Sequence, residues 1–212
     1  MKSSTLFALF LLSAIFTSYL PSATADVVLD TDGGVLQNGG QYSVLPVMRG
    51  SGGGLVVRAT GNERCPLTVA QTRNELDKGI GTIISSPLRV AVIAEGHPLS
   101  ISFGFFPVMP SCIPLTGDWG IVDGLPEGPA VKLAEYKNIV DGWFKIEKAH
   151  PLGYKLLFCP LLEGSTCGDI GIQTDDDGIR RLVVTKNNPL LVQFQKIGWI
   201  LTKNNLLLPG SE

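Results

Sequence analysis

Arg89 is the charged residue in a stretch that is otherwise apolar from Pro87 to Ile93. An unpaired guanidinium is costly to bury, so this side chain is expected to face water or a binding partner. The planar guanidinium of an arginine can bind a carboxylate through two parallel hydrogen bonds. Arg89 is therefore either an ordinary strand residue facing solvent or a side chain held out to bind an acidic group.

Pro87 favours the second interpretation. Its ring fixes its own φ and keeps Ser86 extended, so the chain that enters Leu88 and Arg89 is stiff. A stiff loop loses less conformational entropy on binding. A protease with a carboxylate in its specificity pocket would accept Arg89, whose methylenes would pack against the pocket walls. An exposed arginine between strands, with no partner, is the ordinary alternative.

The other candidate residues do not support catalysis. A nucleophile–histidine site needs a histidine beside the nucleophile, and both histidines, His97 and His150, precede prolines in loop-like sequence. The run Asp175–Asp177 before Gly178 lacks the ligand spacing of a calcium-binding loop and predicts a surface turn. The cluster Gly50–Gly54 fits no phosphate-binding fingerprint and predicts a flexible hairpin connection. We expect no enzymatic activity, no metal and no cofactor.

The first 25 residues have the pattern of a signal peptide. Lys2 precedes a short apolar run from Leu6 to Leu12, and Ala23-Thr24-Ala25 is a cleavage signal before Asp26. No later apolar run approaches the length of a membrane span. The chain carries 17 Lys and Arg against 19 Asp and Glu, with no basic block, so nucleic acid is not an expected partner. We expect a secretory, monomeric protein without a membrane segment.

The elements that must position these residues are predicted to be β-strands. Short runs rich in branched and aromatic residues recur along the chain, bounded by Gly, Pro, Asn or Asp, and no capped helical pattern follows the signal segment. The pattern predicts an all-β domain and leaves a sandwich and a barrel equally open. The predicted strands include Tyr42–Val47, Leu55–Ala59, Thr82–Ile84, Leu88–Ala94, Leu99–Phe106, Trp143–Glu147, Tyr154–Cys159, Arg181–Thr185 and Leu190–Gln195.

Four cysteines in a secretory chain predict two disulfides. Their positions, Cys65, Cys112, Cys159 and Cys167, allow three pairings and do not have the spacing of a zinc site. The short separation of Cys159 and Cys167 suits a small local loop. Trp143 is expected in the core rather than on a ligand platform.

Several long segments resemble the soybean Kunitz trypsin inhibitor family. The resemblance extends from Asp26 to about Lys196, nearly the whole mature chain, and it implies a β-trefoil of 12 strands with pseudo-three-fold symmetry over residues 26–196. The segments that carry it are Thr60–Val69, Arg73–Pro87, Ala94–Leu99, Asp123–Val131, Asp141–Phe144, Cys167–Ile172 and Arg180–Val184.

The resemblance also implies specific roles for residues of this chain. It pairs Cys65 with Cys112 and Cys159 with Cys167. It makes Ser86–Ala91 the reactive loop of a serine protease inhibitor. Within that loop, Pro87 and Leu88 precede the specificity residue Arg89, and the bond between Arg89 and Val90 is the one offered to a trypsin-like protease. Asn38 would support the loop with side-chain hydrogen bonds, although an Asn-Gly hairpin turn is the simpler explanation of this residue.

Some positions depart from the family pattern. The soybean member has an aromatic residue before the reactive Arg and Ile-Arg after it, whereas this chain has Leu88 before Arg89 and Val90-Ala91 after it. Loss of an arginine on the far side of the bond could weaken binding. The main alternative function is a storage or taste-modifying β-trefoil protein that has lost inhibition. A sugar-binding trefoil is disfavoured because the sequence contains no Gln-x-Trp triplet.

The tail at residues 197–212 has no clear counterpart in the family. One hypothesis is that it directs sorting to the vacuole and is then trimmed, as apolar C-terminal extensions of secretory plant proteins are. The alternative is that it packs Trp199, Ile200 and Leu201 against the rim of the barrel. The expected location is secreted or vacuolar.

Overall fold

A computed structural model describes residues 25–104, 112, 116–125, 128–201 and 207–209. The predicted signal peptide therefore lies outside the described residues except for Ala25, as do half of the tail and the end of the predicted strand Leu99–Phe106. In the described ranges no helix is long and apolar enough to cross a membrane.

The described chain is organised as β-strands. The strands are β1 Gly40–Pro46, β2 Leu55–Arg58, β3 Thr68–Gln71, β4 Thr82–Ser85, β5 Ser100–Phe103, β6 Trp119–Val122, β7 Ala130–Leu133, β8 Ile139–Val140, β9 Gly142–His150, β10 Gly153–Pro160, β11 Gly168–Thr174, β12 Arg180–Thr185, β13 Leu191–Lys196, β14 Trp199–Leu201 and β15 Leu207–Pro209.

Strands β1 to β13 form one antiparallel sheet. The order is β5-β4-β1-β13-β10-β11-β12-β3-β7-β6-β8, with β2 beside β3 and β9 beside β10. The pairing of β1 with β13 joins the two ends of the domain, with Val44 opposite Phe194. The sheet has 13 strands among the described residues, one more than expected, and β8 is only two residues long. Strands β14 and β15 form a separate hairpin in the tail.

One hydrophobic core unites the strands. Alternation along β4 buries Thr82 and Ile84 and leaves Ile83 and Ser85 partly exposed, as expected for a strand with one face on the core. Ring contacts run from Phe103 to Trp119 and on to Phe144 at centroid distances of 5.2 and 6.1 Å. These edge-on contacts are favourable beyond the area they bury. Trp119 is buried in this core. Trp143, which was expected in the core, is only half-buried.

The segment Leu88–Ala94 is a loop, and the prediction of a strand there is wrong. Its regular pairing is limited to isolated bridges of Val92 with Gln37 and of Ala94 with Val27. Pro87 has no backbone N–H to donate, and the carbonyls that follow it are bound by a side chain rather than by a neighbouring strand. The apolar composition therefore does not produce a strand here.

The Gly50–Gly54 connection is also not the flexible hairpin that was predicted. Gly53 and Gly54 are buried against the loop at residues 72–79, and an added Cβ would lie 2.1 Å from the Asn74 carbonyl oxygen and 2.0 Å from that of Lys78. Glycine is needed here because two backbone segments pack directly against each other. The turn before Gly178 is present as predicted, with the Gly178 amide donating to the Asp175 carbonyl at 2.7 Å.

A buried ion pair holds the loop between β2 and β3. The ammonium group of Lys132 in β7 lies 2.6 Å from a carboxylate oxygen of Glu63 and also donates to Thr68 and Thr60. Only 2% of the Lys132 side chain is exposed. Such a pair is tolerated in a core because the remaining donors and acceptors also have partners.

Two disulfides connect the four cysteines in the pairing that the family resemblance implies. Cys65 and Cys112 are bonded with a Cα–Cα distance of 5.7 Å, and Cys159 and Cys167 with one of 4.1 Å. In the chain-entropy model, closing the longer loop contributes about 4 kcal/mol to stability and closing the shorter one about 2.5 kcal/mol.

Removing the disulfide between Cys159 and Cys167 tests how much it contributes to stability. We expect the pair Cys159→Ser and Cys167→Ser to lower the free energy of unfolding by about 2.5 kcal/mol, because the unfolded chain regains the entropy of an open loop. Guanidinium denaturation of the oxidised proteins measures the difference. The matched pair Cys65→Ser and Cys112→Ser should cost more. An unchanged midpoint after removal of Cys159 and Cys167 would contradict the prediction.

Candidate functional site

The segment from Ser86 to Ala91 protrudes from the end of β4. Ser86 is buried, whereas Pro87, Leu88 and Arg89 are exposed and Val90 is half-buried. Leu88 is an apolar side chain with 42% of its surface in water. Within the described part of the chain, Arg89 has no ion pair. This loop therefore presents a cation beside an apolar residue, both available to a partner.

Asn38 lies behind this loop and binds it from the inside. Its side-chain nitrogen donates towards the carbonyl oxygens of Ser86 at 3.2 Å, Leu88 at 3.4 Å and Val90 at 3.0 Å. Its side-chain oxygen accepts the Ser86 amide at 2.8 Å, which defines the orientation of the amide group. One side chain thus binds backbone groups on both sides of Arg89, across about 50 residues of sequence.

Further hydrogen bonds within the loop add to this support. The backbone amide of Asn38 donates to the Ala91 carbonyl at 2.9 Å. The Leu88 amide donates to the hydroxyl of Ser86 at 3.2 Å, and the Val90 amide donates to the Leu88 carbonyl at 2.9 Å. The loop at Ser86–Ala91 therefore has a defined backbone path although it belongs to no strand.

The turn Gln37–Gly40 positions Asn38. The Gly40 amide donates to the Gln37 carbonyl at 3.0 Å, and Gly39 has a φ of 77°. Glycine is preferred at the third position of such a turn because φ is positive there. The Gly39 amide donates to the Ile84 carbonyl at 2.8 Å, which ties the turn to β4. Asn38 thus serves both as a turn residue and as a loop ligand.

Backbone hydrogen bonds also anchor the chain that follows the loop. The Ile93 amide donates to the Leu36 carbonyl at 2.8 Å, and the Val28 amide donates to the Ile93 carbonyl at 3.0 Å. Val92 forms an isolated bridge with Gln37. Both ends of the exposed segment are consequently held by the body of the protein, which reduces the freedom that a partner would have to restrict.

Both histidines accept hydrogen bonds from backbone amides in their own turns. The Nδ1 atom of His97 accepts a hydrogen bond from the Ala94 amide at 3.2 Å, and that of His150 accepts one from the Leu152 amide at 3.1 Å. Each histidine therefore stabilises its own turn. Among the described residues, no group of three or more His, Cys, Asp or Glu side chains could hold a metal ion.

The fold and the loop together define a class of protein: an all-β domain that presents an exposed arginine on a loop held by hydrogen bonds from Asn38. The chain belongs to the Kunitz legume family, whose model, described as trypsin and protease inhibitor, matches residues 28–196.

Known relatives extend over nearly the whole chain. It is 58% identical to trypsin inhibitor A of Glycine max, a match that covers 99% of each chain, and 42% identical to trypsin inhibitor 1A of Psophocarpus tetragonolobus, over 80% of this chain and 97% of the relative. These findings confirm the family resemblance, and they concern inhibitors rather than enzymes.

Solved structures agree in fold. Soybean trypsin inhibitor superimposes with a TM-score of 0.77 at 57% identity, over 81% of this chain and 100% of its own. The inhibitor in a complex with porcine pancreatic trypsin matches at 56% identity with a TM-score of 0.77, over 82% of this chain and 100% of its own. Winged bean albumin 1 matches with a TM-score of 0.68 at 37% identity, over 81% of this chain and 99% of its own. The expected β-trefoil fold is therefore confirmed.

The structure contains the predicted hydrogen bonds between Asn38 and the segment Ser86–Ala91, and it adds contacts that sequence reasoning missed. The buried hydroxyl of Ser86, the carbonyl of Ile84 and the phenol of Tyr42 all bind groups in the loop or in the turn behind it. Small polar residues and a strand tyrosine carry no local signal for such a role, because their partners are distant in sequence.

Proposed function

We propose that this protein inhibits trypsin-like serine proteases in the manner of a substrate, with Arg89 as the specificity residue and Arg89–Val90 as the reactive bond. Arg89 is exposed and follows Pro87-Leu88, so its guanidinium can enter a pocket that ends in a carboxylate. The soybean inhibitor whose structure this chain resembles was solved bound to porcine pancreatic trypsin, and the same class of partner is proposed here.

The observation that carries the proposal is the position of Asn38 across the proposed reactive bond. Its side chain binds the carbonyls of Ser86 and Leu88 before the bond and that of Val90 after it. If a protease cleaves the bond, both new ends remain attached to the same residue. Reacting groups held together behave as if highly concentrated, so religation competes with release and the protease stays occupied.

The longer disulfide supports the same mechanism. Cys65 precedes the Arg89–Val90 bond and Cys112 follows it, and the two are covalently linked. Cleavage at Arg89 would therefore leave one covalently joined molecule. The Ala91 carbonyl would remain bound to the backbone amide of Asn38, on the same turn that holds the other end.

Titration of trypsin tests the proposal directly. We expect increasing amounts of the mature chain to reduce the activity of a fixed, active-site-titrated amount of bovine trypsin in a straight line to zero at a ratio near one to one. A storage or taste-modifying protein of the same fold, the alternative raised in the sequence analysis, would leave the activity unchanged. Unchanged activity would reject the proposed inhibition of trypsin.

Limited cleavage identifies the bond. We expect prolonged incubation with catalytic amounts of trypsin at mildly acidic pH to create a single new amino terminus that begins at Val90. Because Cys65 and Cys112 bridge this bond, the product should run as one band without reductant and as two bands with it. A first cut after Arg64, which is also exposed, would place the reactive bond elsewhere.

We also propose the processing that the sequence indicates. Residues 1–25 would be removed on entry to the secretory pathway, residues 26–196 would form the inhibitor domain, and residues 197–212 would be trimmed in a vacuole. Mass spectrometry of protein from its native tissue tests this arrangement. An intact Glu212 on the vacuolar protein would contradict trimming.

A further inference from the structure

A buried tyrosine lies directly beneath the turn that carries Asn38. Tyr42 belongs to β1 and is 1% exposed. Its hydroxyl oxygen accepts a hydrogen bond from the Gln37 amide at 2.8 Å. Its ring meets that of Phe194 edge-on, with centroids 6.5 Å apart. The hydroxyl therefore joins the first residue of the turn to the hydrophobic core.

The turn packs closely against this phenol. A Cβ added at Gly40 would lie 2.8 Å from the Tyr42 hydroxyl, closer than real Cβ atoms approach other groups. The backbone at Gly40 can therefore pass over the ring because no side chain intervenes. The tyrosine ring therefore restricts where the turn can lie. The Ile84 carbonyl binds the Gly39 amide and restricts the turn further.

We propose that Tyr42 is a positioning residue for the reactive bond. Its hydroxyl holds the Gln37 amide, so the backbone at Asn38 keeps the place from which the Asn38 side chain reaches the carbonyls of the loop. The inference rests on the proposed inhibitory function. It adds a second layer of support, in which the core positions the turn and the turn positions the loop.

The protonation of Tyr42 suits this role. Burial raises the pKa of its phenol above the ordinary value, the hydrogen bond from Gln37 acts in the opposite direction, and the carboxylate of Asp30 raises it further. The phenol consequently stays neutral through the pH range in which serine proteases act, and its oxygen remains available to accept the Gln37 amide.

The chain contains a matched control for this residue. Tyr154 is likewise buried, at 4% exposure, and its hydroxyl also accepts a backbone amide, that of Leu29, at 2.9 Å. Its ring also contacts Phe194, with centroids 5.8 Å apart. The two residues differ in what their hydroxyls hold, because only the Tyr42 hydroxyl binds the turn that carries Asn38. A purely structural role would let both substitutions lower stability without a selective effect of Tyr42→Phe on cleavage at Arg89–Val90.

The first experiment measures cleavage and dissociation. Tyr42→Phe removes a single hydroxyl, so we expect the fold to persist, trypsin to cleave Arg89–Val90 about tenfold faster, and the complex to dissociate about tenfold faster. Tyr154→Phe should lower the midpoint of thermal unfolding to a similar extent while changing both rates less than about twofold. Equal effects of the two variants on cleavage would overturn the proposal.

The second experiment uses the free protein and needs no protease. We expect amide hydrogen exchange at Asn38, Gly39 and Ser86 to be faster in Tyr42→Phe than in Tyr154→Phe, because these amides bind Ala91, Ile84 and the Asn38 side chain. If the parent does not inhibit trypsin, the proposed function fails while this measurement still tests Tyr42. Equal exchange in both variants would reject the positioning role.

A double variant tests whether Tyr42 acts through Asn38. In a protein that already carries Asn38→Ala, Tyr42→Phe should produce little further increase in the cleavage rate, because the side chain that the turn positions is gone. Independent, multiplicative effects of the two substitutions would contradict this path.

Discussion

Arg89→Glu is expected to weaken the inhibition of trypsin by at least about a thousandfold, because it removes the partner of the pocket carboxylate and places two negative charges together, at a cost of several kcal/mol. Arg89 is exposed and has no ion pair among the described residues, so the fold does not depend on it. The inhibition constant should change while the thermal midpoint stays within about 1 °C of the parent.

The chain supplies controls for this experiment. Arg49 is also exposed, and Arg49→Glu makes the same change in net charge, so it separates a local effect from general electrostatic steering.

Arg89→Lys keeps a cation and should retain much of the inhibition. Arg89→Leu should shift inhibition towards proteases with an apolar pocket, because the supporting loop is unchanged. If Arg89→Glu inhibits as well as the parent, the reactive bond lies elsewhere.

The second large effect is expected from Asn38→Ala. The substitution removes the hydrogen bonds to the Ser86 and Val90 carbonyls and the one accepted from the Ser86 amide. At about 1 kcal/mol for each of these three bonds, trypsin should cleave Arg89–Val90 about 150-fold faster. Binding should weaken in parallel, because the loop must then be ordered when it binds. Quantifying the nicked product over time gives the rate.

Two further variants show which contacts matter. Asn38→Asp keeps an oxygen to accept the Ser86 amide but turns the donor towards the Val90 carbonyl into a second acceptor, so it should be at least as damaging as alanine. Asn74 offers a matched control, since its side chain accepts the Leu76 amide in an exposed loop elsewhere. Asn74→Ala should leave cleavage unchanged. An Asn38→Ala protein with unchanged affinity and resistance to cleavage would remove Asn38 from the mechanism.

Much of the local structure could be predicted because its signals lie close together in the sequence. The predicted strand Leu55–Ala59 corresponds to β2 at Leu55–Arg58, and Tyr154–Cys159 lies within β10 at Gly153–Pro160. Both runs are rich in apolar residues with turn residues nearby. The segment Leu88–Ala94 has similar composition but is a loop, because its carbonyls are bound by a side chain about 50 residues away.

Sequence reasoning could not predict the burial of residues whose neighbours belong to distant elements. Lysine side chains are rarely buried, yet the ammonium group of Lys132 is buried against Glu63, 69 residues earlier. Gly53 and Gly54 were predicted to lie in a flexible hairpin connection, yet their backbone packs closely against residues 74–79. In each case the deciding partner belongs to a distant element, and hydrophobic periodicity carries no information about such contacts.

The sequence by itself determined the all-β class, the number of disulfides and the presence of one arginine in an apolar run that begins with a proline. These properties depend on residue type and on neighbours within a few positions. The tertiary structure alone decided that the Arg89 loop stands clear of the sheet, that Asn38 binds both sides of it, and that Tyr42 lies beneath the turn. The reason is physical: these contacts exist only once the turn, β1 and β4 are brought together by the strand register, with Gly40 opposite Ile84.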